Sequence, residues 1–96
     1  NLSENGIIVV TLSLEKGTNN LLAGPDIVSR GFVYVRESED LMGEAREVVE
    51  EALDGCLSKN ISDWGKIKST IKDALGDYVW KKTKRRPMIL PIIMEA

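Results

Sequence analysis

The chain contains no histidine. That removes imidazole as a general base and every zinc site built on it. It contains one cysteine, Cys56. A lone thiol closes no internal disulfide and builds no thiolate cluster, and as a nucleophile it would lack its usual histidine partner. Cys56 falls on an apolar stripe, which suits a buried structural thiol, and nothing in the cysteine usage suggests secretion. No apolar run approaches the roughly 18 residues that a membrane helix needs. No signal peptide is visible. There is no P-loop and no G-x-G-x-x-G. Gly24, Gly31 and Gly43 are scattered, as turn residues and tolerated helix glycines are. Internal repeats and long low-complexity segments are absent. The net charge of −2 offers no overall attraction to nucleic acid, although an average hides patches.

What remains is an ordinary folding composition. Apolar residues make up 43% and charged residues 29%, which suits a folded chain rather than a disordered one. Ninety-six residues form one small domain, 1–96, with a modest core. Self-association would add useful stability to it. The chain begins at Asn1 without methionine and reads as a piece of a longer protein.

Two helices organise the pattern. In 38–60, Leu41, Ala45, Val48, Val49, Ala52, Leu53 and Cys56 recur by threes and fours and make one apolar stripe. Ser38 is placed to cap the first turn, with Glu39 and Asp40 beside the positive end of the helix dipole. In 62–86, Trp64, Ile67, Ile71, Ala74, Leu75, Tyr78 and Val79 make the second stripe. Ser62 or Asp63 is its cap, and Pro87 ends the run. A short polar link around Lys59 and Asn60 implies antiparallel neighbours.

Strands flank the helices. Residues 6–16 open with the β-branched run Ile7, Ile8, Val9, Val10 and then alternate, which suits a central strand covered on both faces at its start. Gly17, Asn19 and Asn20 mark a turn. Residues 20–24 and 26–30 read as one bent strand broken by Gly24-Pro25, with Pro25 at an edge or bulge. Residues 32–35 extend it or lead into the helix. Residues 88–94 are wholly apolar and read as a last strand despite Pro91, with both faces covered or one face against another subunit. The expected fold is α+β: a small three-stranded sheet packed against two α-helices, order β-β-α-α-β, with the first strand central.

Three charged features stand out. Glu37, Glu39, Asp40, Glu44, Glu47, Glu50, Glu51 and Asp54 read as a solvated helix face, because no ligand of another type lies near them. Asp26 and Arg30 sit at the strand break, where site chemistry is conceivable; a structural pair fixing the bend is the stronger reading. Lys81, Lys82, Lys84, Arg85 and Arg86 are five cations within six residues. They could hold RNA phosphates. They equally suit a helix C-terminus, where cations complement the dipole. Trp80 and Tyr78 lie close by, so base stacking is conceivable, although Tyr78 is on the core stripe and Trp80 could simply cover an edge.

Two segments carry more information than any of these. GPDIVSRGFVYVRES at 24–38 and KTKRRPMILPIIMEA at 82–96, in that order with Trp64 opening the helix between them, resemble the C-terminal domain of ribonuclease J. That family comprises bacterial metallo-β-lactamase-type ribonucleases of the β-CASP group. The resemblance covers nearly all of the chain. It implies a parent hydrolase that acts in RNA processing and mRNA decay, as an exonuclease from the 5′ end and as an endonuclease. It also implies a cytoplasmic enzyme with zinc in an N-terminal catalytic domain. The H-x-H-x-D-H type of ligand motif is not in this chain, so no catalytic or metal residue carries over, and the chain itself needs no cofactor. The implied role is a non-catalytic module that supports self-association and the activity of the parent.

Three readings follow. In the first, the chain is an oligomerisation domain, a homodimer at its simplest, with Ile7, Val9, Met88, Leu90, Ile92 and Met94 as the interface. Its other partner would be the catalytic domain of the same protein, RNA would be met through the parent, and no membrane is involved. In the second, the chain is an accessory RNA-binding module that uses the run at 81–86, with Arg30 and Arg36 as additions. In the third, it is an independent enzyme, against which the missing histidines argue.

Overall fold

The computed structural model describes residues 6–31 and 38–96. The expectations for 32–35, Arg36 and Glu37, and for the side chains of Ser38 and Glu39, lie outside the described residues. The elements are β1 (Ile7–Leu14), β2 (Leu21–Arg30), α1 (Ser38–Ser58), α2 (Trp64–Thr83) and β3 (Met88–Glu95). The fold is α+β in the order β-β-α-α-β. The sheet order is β2-β1-β3, so the first strand is central.

β1 alternates along its whole length. Ile8, Val10, Leu12 and Leu14 are buried, while Ile7, Val9, Thr11 and Ser13 are half-covered. The expectation of a start buried on both faces is thereby corrected. Strands flank β1 on either side, so among the described residues neighbouring side chains, and no second layer, cover Ile7 and Val9. β2 returns antiparallel, with register shifts between Thr11 and Ser13 and between Ser13 and Leu14. Between the strands, the Asn19 amide donates to the Glu15 carbonyl and the Glu15 amide to the Asn20 carbonyl. Gly24 lies at this irregularity with φ +91°, and a Cβ there would stand 2.7 Å from the Thr11 carbonyl oxygen. Only glycine fits both requirements.

α1 buries Leu41, Ala45, Val49, Leu53 and Cys56. It ends where Asn60 turns left-handed at φ 58°. The Ile61 amide then donates to the Cys56 carbonyl and the Asn60 amide to that of Leu57, a Schellman cap with asparagine in the usual glycine place. Asp63 caps α2 by accepting from the Lys66 amide. Ile67, Ile71, Leu75 and Val79 form its buried row. α2 stops at Thr83, short of Arg86, because Lys84 turns left-handed and its amide donates to the Trp80 carbonyl.

Both helices lie on one face of the sheet, α1 against β2 and α2 against β3. β3 runs parallel to β1 from Ile7↔Met88 to Leu14↔Glu95. The Met88 amide donates to the Gly6 carbonyl and the Ala96 amide to that of Leu14. Even-numbered amides of β3 therefore point at β1 and odd-numbered ones point away from the sheet. Pro91 is odd, so its missing N–H removes no ladder bond, which is why proline is tolerated here. The core between sheet and helices is wholly apolar, with no buried polar or charged residue among those described.

Candidate interaction surfaces

The register that buries one set of side chains exposes the other. Residues paired across strands share a face. Ile7 pairs with Met88 and Arg30, Val9 with Leu90 and Val28, and Thr11 with Ile92 and Asp26. The face turned away from the helices thus carries Ile7, Val9, Val28, Met88, Leu90, Ile92 and Met94. Met88, Leu90 and Met94 remain 46%, 44% and 48% exposed, and Val28 46%. The six residues expected at an interface all fall on this one face. Val28 joins them; its alternation with the charged Asp26 and Arg30 was the signal available in the sequence. Taking three strands of about eight residues at ordinary strand spacings, the outer face, with Thr11, Ser13, Asp26 and Arg30 included, covers roughly 400 Å².

Asp26 and Arg30 do not pair with each other. They share a face four residues apart in a regular stretch of strand, roughly 13 Å along the chain, beyond the reach of the two side chains. Asp26 instead lies 3.8 Å from Arg46 on α1, and Arg30 donates to the Ser29 carbonyl. The bend comes from Gly24 and the register shifts.

The basic run is divided by the end of α2. Lys82 turns towards α1, with its Nζ 3.7 Å from Glu44. Glu44 also accepts a hydrogen bond from the Tyr78 hydroxyl. That bond, and then Lys82, hold the Glu44 carboxyl below its ordinary range. Burial, followed by the same bond and the carboxylate charge, pushes the Tyr78 hydroxyl well above its ordinary value. Lys84 and Arg86 turn the other way, onto the Trp80 ring. The Lys84 Nζ stands 5.4 Å and the Arg86 guanidinium carbon 4.3 Å from its centroid. Beside them is an open groove of about 560 Å³ between α2 and the start of β3, lined by Lys72, Asp73, Gly76, Asp77, Arg86 and Pro87 among others.

The helical layer is electrically divided. Residues 38–58 hold seven acidic and one basic side chain; residues 64–86 hold eight basic and two acidic. Among the described residues no three His, Cys, Asp or Glu side chains are placed to hold a metal, and no helix is long and apolar enough to cross a membrane. A contact invisible to sequence reading joins the β1–β2 turn to the start of α2. Asn19, in the β1–β2 turn, accepts from Trp64 Nε1 at 3.0 Å and donates to the Ser62 carbonyl at 3.2 Å.

The family model described as Ribonuclease J C-terminal domain matches residues 1–96. Ribonuclease J2 of Bacillus subtilis (strain 168) is 45% identical over 95 residues, which are 99% of this chain and 17% of that protein. Ribonuclease J 2 of Staphylococcus aureus (strain NCTC 8325 / PS 47) is 45% identical over 94 residues, 98% of this chain and again 17% of the relative.

Proposed function

Because this chain belongs to the ribonuclease J C-terminal domain family, we propose that it is the non-catalytic C-terminal part of a longer ribonuclease, and that it joins two copies of that parent through its bare sheet face. The single observation that carries the reading is the apolar outer face of the sheet, with Met88, Leu90, Ile92 and Met94 in one unbroken column on β3. The family resemblance implies that the parent hydrolyses RNA in the cytoplasm with zinc held in its N-terminal part; this chain, without histidine, contributes no imidazole ligand to such a centre.

Faces meet in this reading, and edges do not. An edge-to-edge pairing would use the outward amides of β3, and Pro91 removes the middle one. The charges at the rim suit a second copy. Asp26 and Arg30 flank Val28 on the outer face, so an antiparallel two-fold sets Arg30 of each copy opposite Asp26 of the other, where it would share that carboxylate with Arg46. Two such faces bury on the order of 800 Å², at the small end of specific interfaces. The chain alone therefore associates weakly, and further contacts in the parent strengthen the assembly. Light scattering on the chain across a wide concentration range tests this. A rise from monomer to dimer mass is expected. A monomer mass at millimolar concentration would refute it.

A further inference from the structure

We propose a second site, on the helical side of the domain: the C-terminal end of α2 binds single-stranded nucleic acid through Trp80 and the Arg86 guanidinium stacked on it. The site lies on the helical side of the sheet and meets the bare face only at Met88, which lines the edge of its groove.

Trp80 is on the side of α2 away from the buried row of Ile67, Ile71, Leu75 and Val79. It remains 36% exposed, so it is not a core residue. The left-handed Lys84, φ 58°, reverses the chain and brings both Lys84 and Arg86 back over the indole. Glycine adopts that conformation without the cost that a side chain incurs, on the order of 1 kcal/mol. Here a lysine occupies the position and places its cation over the ring.

The stacking orients Arg86 without using its N–H donors. A guanidinium centred over an indole is held by the ring face, which leaves its N–H donors for a ligand. Among the described residues no carboxylate lies within ion-pair distance of Arg86 or Lys84. The result is an oriented, unspent phosphate donor at the edge of an aromatic platform. The exposed surface of the stack can take a nucleobase, since bases stack on aromatic rings and on arginine planes alike.

The adjoining groove supplies the rest. Asp73 and Asp77 repel a phosphate but accept from ribose hydroxyls and base amino groups. Phosphates would therefore lie along Lys72, Lys84 and Arg86, with a base or sugar in the groove. The acidic α1 and the basic end of α2 together direct a polyanion to this end of the domain. Duplex nucleic acid hides its base faces and does not satisfy the stack.

The test is fluorescence anisotropy of the 96-residue chain, which has its own core, with a labelled ten-nucleotide oligouridylate at low salt and over a salt series. Trp80→Leu removes the platform and keeps every charge; Arg86→Lys keeps the charge and removes the planar stack. Each is expected to weaken binding five-fold or more with the salt slope unchanged, whereas Lys16→Ala, in the β1–β2 turn, changes it less than two-fold. Arg86 lies beyond the helix, so Arg86→Lys remains informative if Trp80→Leu lowers stability. Four results would overturn the proposal: no binding by the parent sequence at low salt, both variants within two-fold of it, a duplex bound as tightly as the single strand, or poly-glutamate of equal charge competing as well as RNA.

Discussion

Truncating Leu90 to alanine separates the two roles that β3 side chains play. Leu90 points away from the helices and keeps 44% of its surface exposed, whereas Leu75 on α2 is 0% exposed. Burying a leucine side chain completely is worth about 1.5–3 kcal/mol. The part of Leu90 still open to solvent is therefore worth roughly 1 kcal/mol in an assembly, and a two-fold assembly contains it twice. Leu90→Ala should weaken self-association by about 2 kcal/mol, raising Kd about thirty-fold. The fold itself should lose only about 1 kcal/mol, because half of the side chain was never buried. Leu75→Ala should do the reverse: a loss of about 2–5 kcal/mol in stability, with unchanged association of the folded fraction. Sedimentation equilibrium gives the first quantity and urea unfolding at low protein concentration the second. The reasoning is refuted if Leu90→Ala costs as much folding stability as Leu75→Ala, which would mean that the outer face is covered within the chain. It is equally refuted if Kd moves less than three-fold.

Glycine substitutions test the hairpin. Gly17 and Gly24 have φ of +89° and +91°, but a Cβ meets nothing within 4 Å at Gly17 and the Thr11 carbonyl oxygen at 2.7 Å at Gly24. Gly17→Ala should cost about 1 kcal/mol, Gly24→Ala at least twice that, and equal costs in urea unfolding would show that the contact is irrelevant. Asn19→Ala should cost about 1–2 kcal/mol, since it leaves the part-buried Trp64 N–H and the Ser62 carbonyl without their partner; an unchanged thermal midpoint would remove that latch from the account. Tyr78→Phe tests the Glu44 contact through pH. The folded Glu44 has a lowered pKa, so its contribution is present above the ordinary carboxylate value and is lost as pH falls through the folded value. Tyr78→Phe should therefore flatten the acid limb of the stability curve, and an unaltered limb would contradict the assignment.

Much of the fold was legible because its signals are local. The stripe of Ile67, Ile71, Leu75 and Val79 repeats at the helical period, and the alternation from Leu12 onward repeats at the strand period. Pro91 was rightly kept inside a strand, although only the direction of the β3 amides explains it. The candidate surfaces were legible in part. Apolar excess in 88–94 and at Ile7 and Val9 marked residues that meet on one face, yet Val28 was missed because charges stand on either side of it. The five cations at 81–86 looked like one patch, since sequence spacing does not reveal a left-handed turn at Lys84. Asp26 was matched to Arg30 by proximity in the chain, whereas its neighbour in space, Arg46, belongs to another element.

Composition and periodicity determined by themselves the number and order of the elements, a cap at Ser62 or Asp63 and the lack of imidazole chemistry. These follow from side-chain chemistry and from backbone repeats that span a few residues. The tertiary structure alone decided which side of the sheet the helices cover, and therefore which apolar residues are core and which are surface. A strand pattern specifies two faces but not the one that will be buried; that choice is made by the packing of the sheet against two helices that lie far from β1 in the chain. It also decided that Lys82, one helical turn after Tyr78, faces Glu44, while the left-handed Lys84, φ 58°, brings itself and Arg86 back over Trp80.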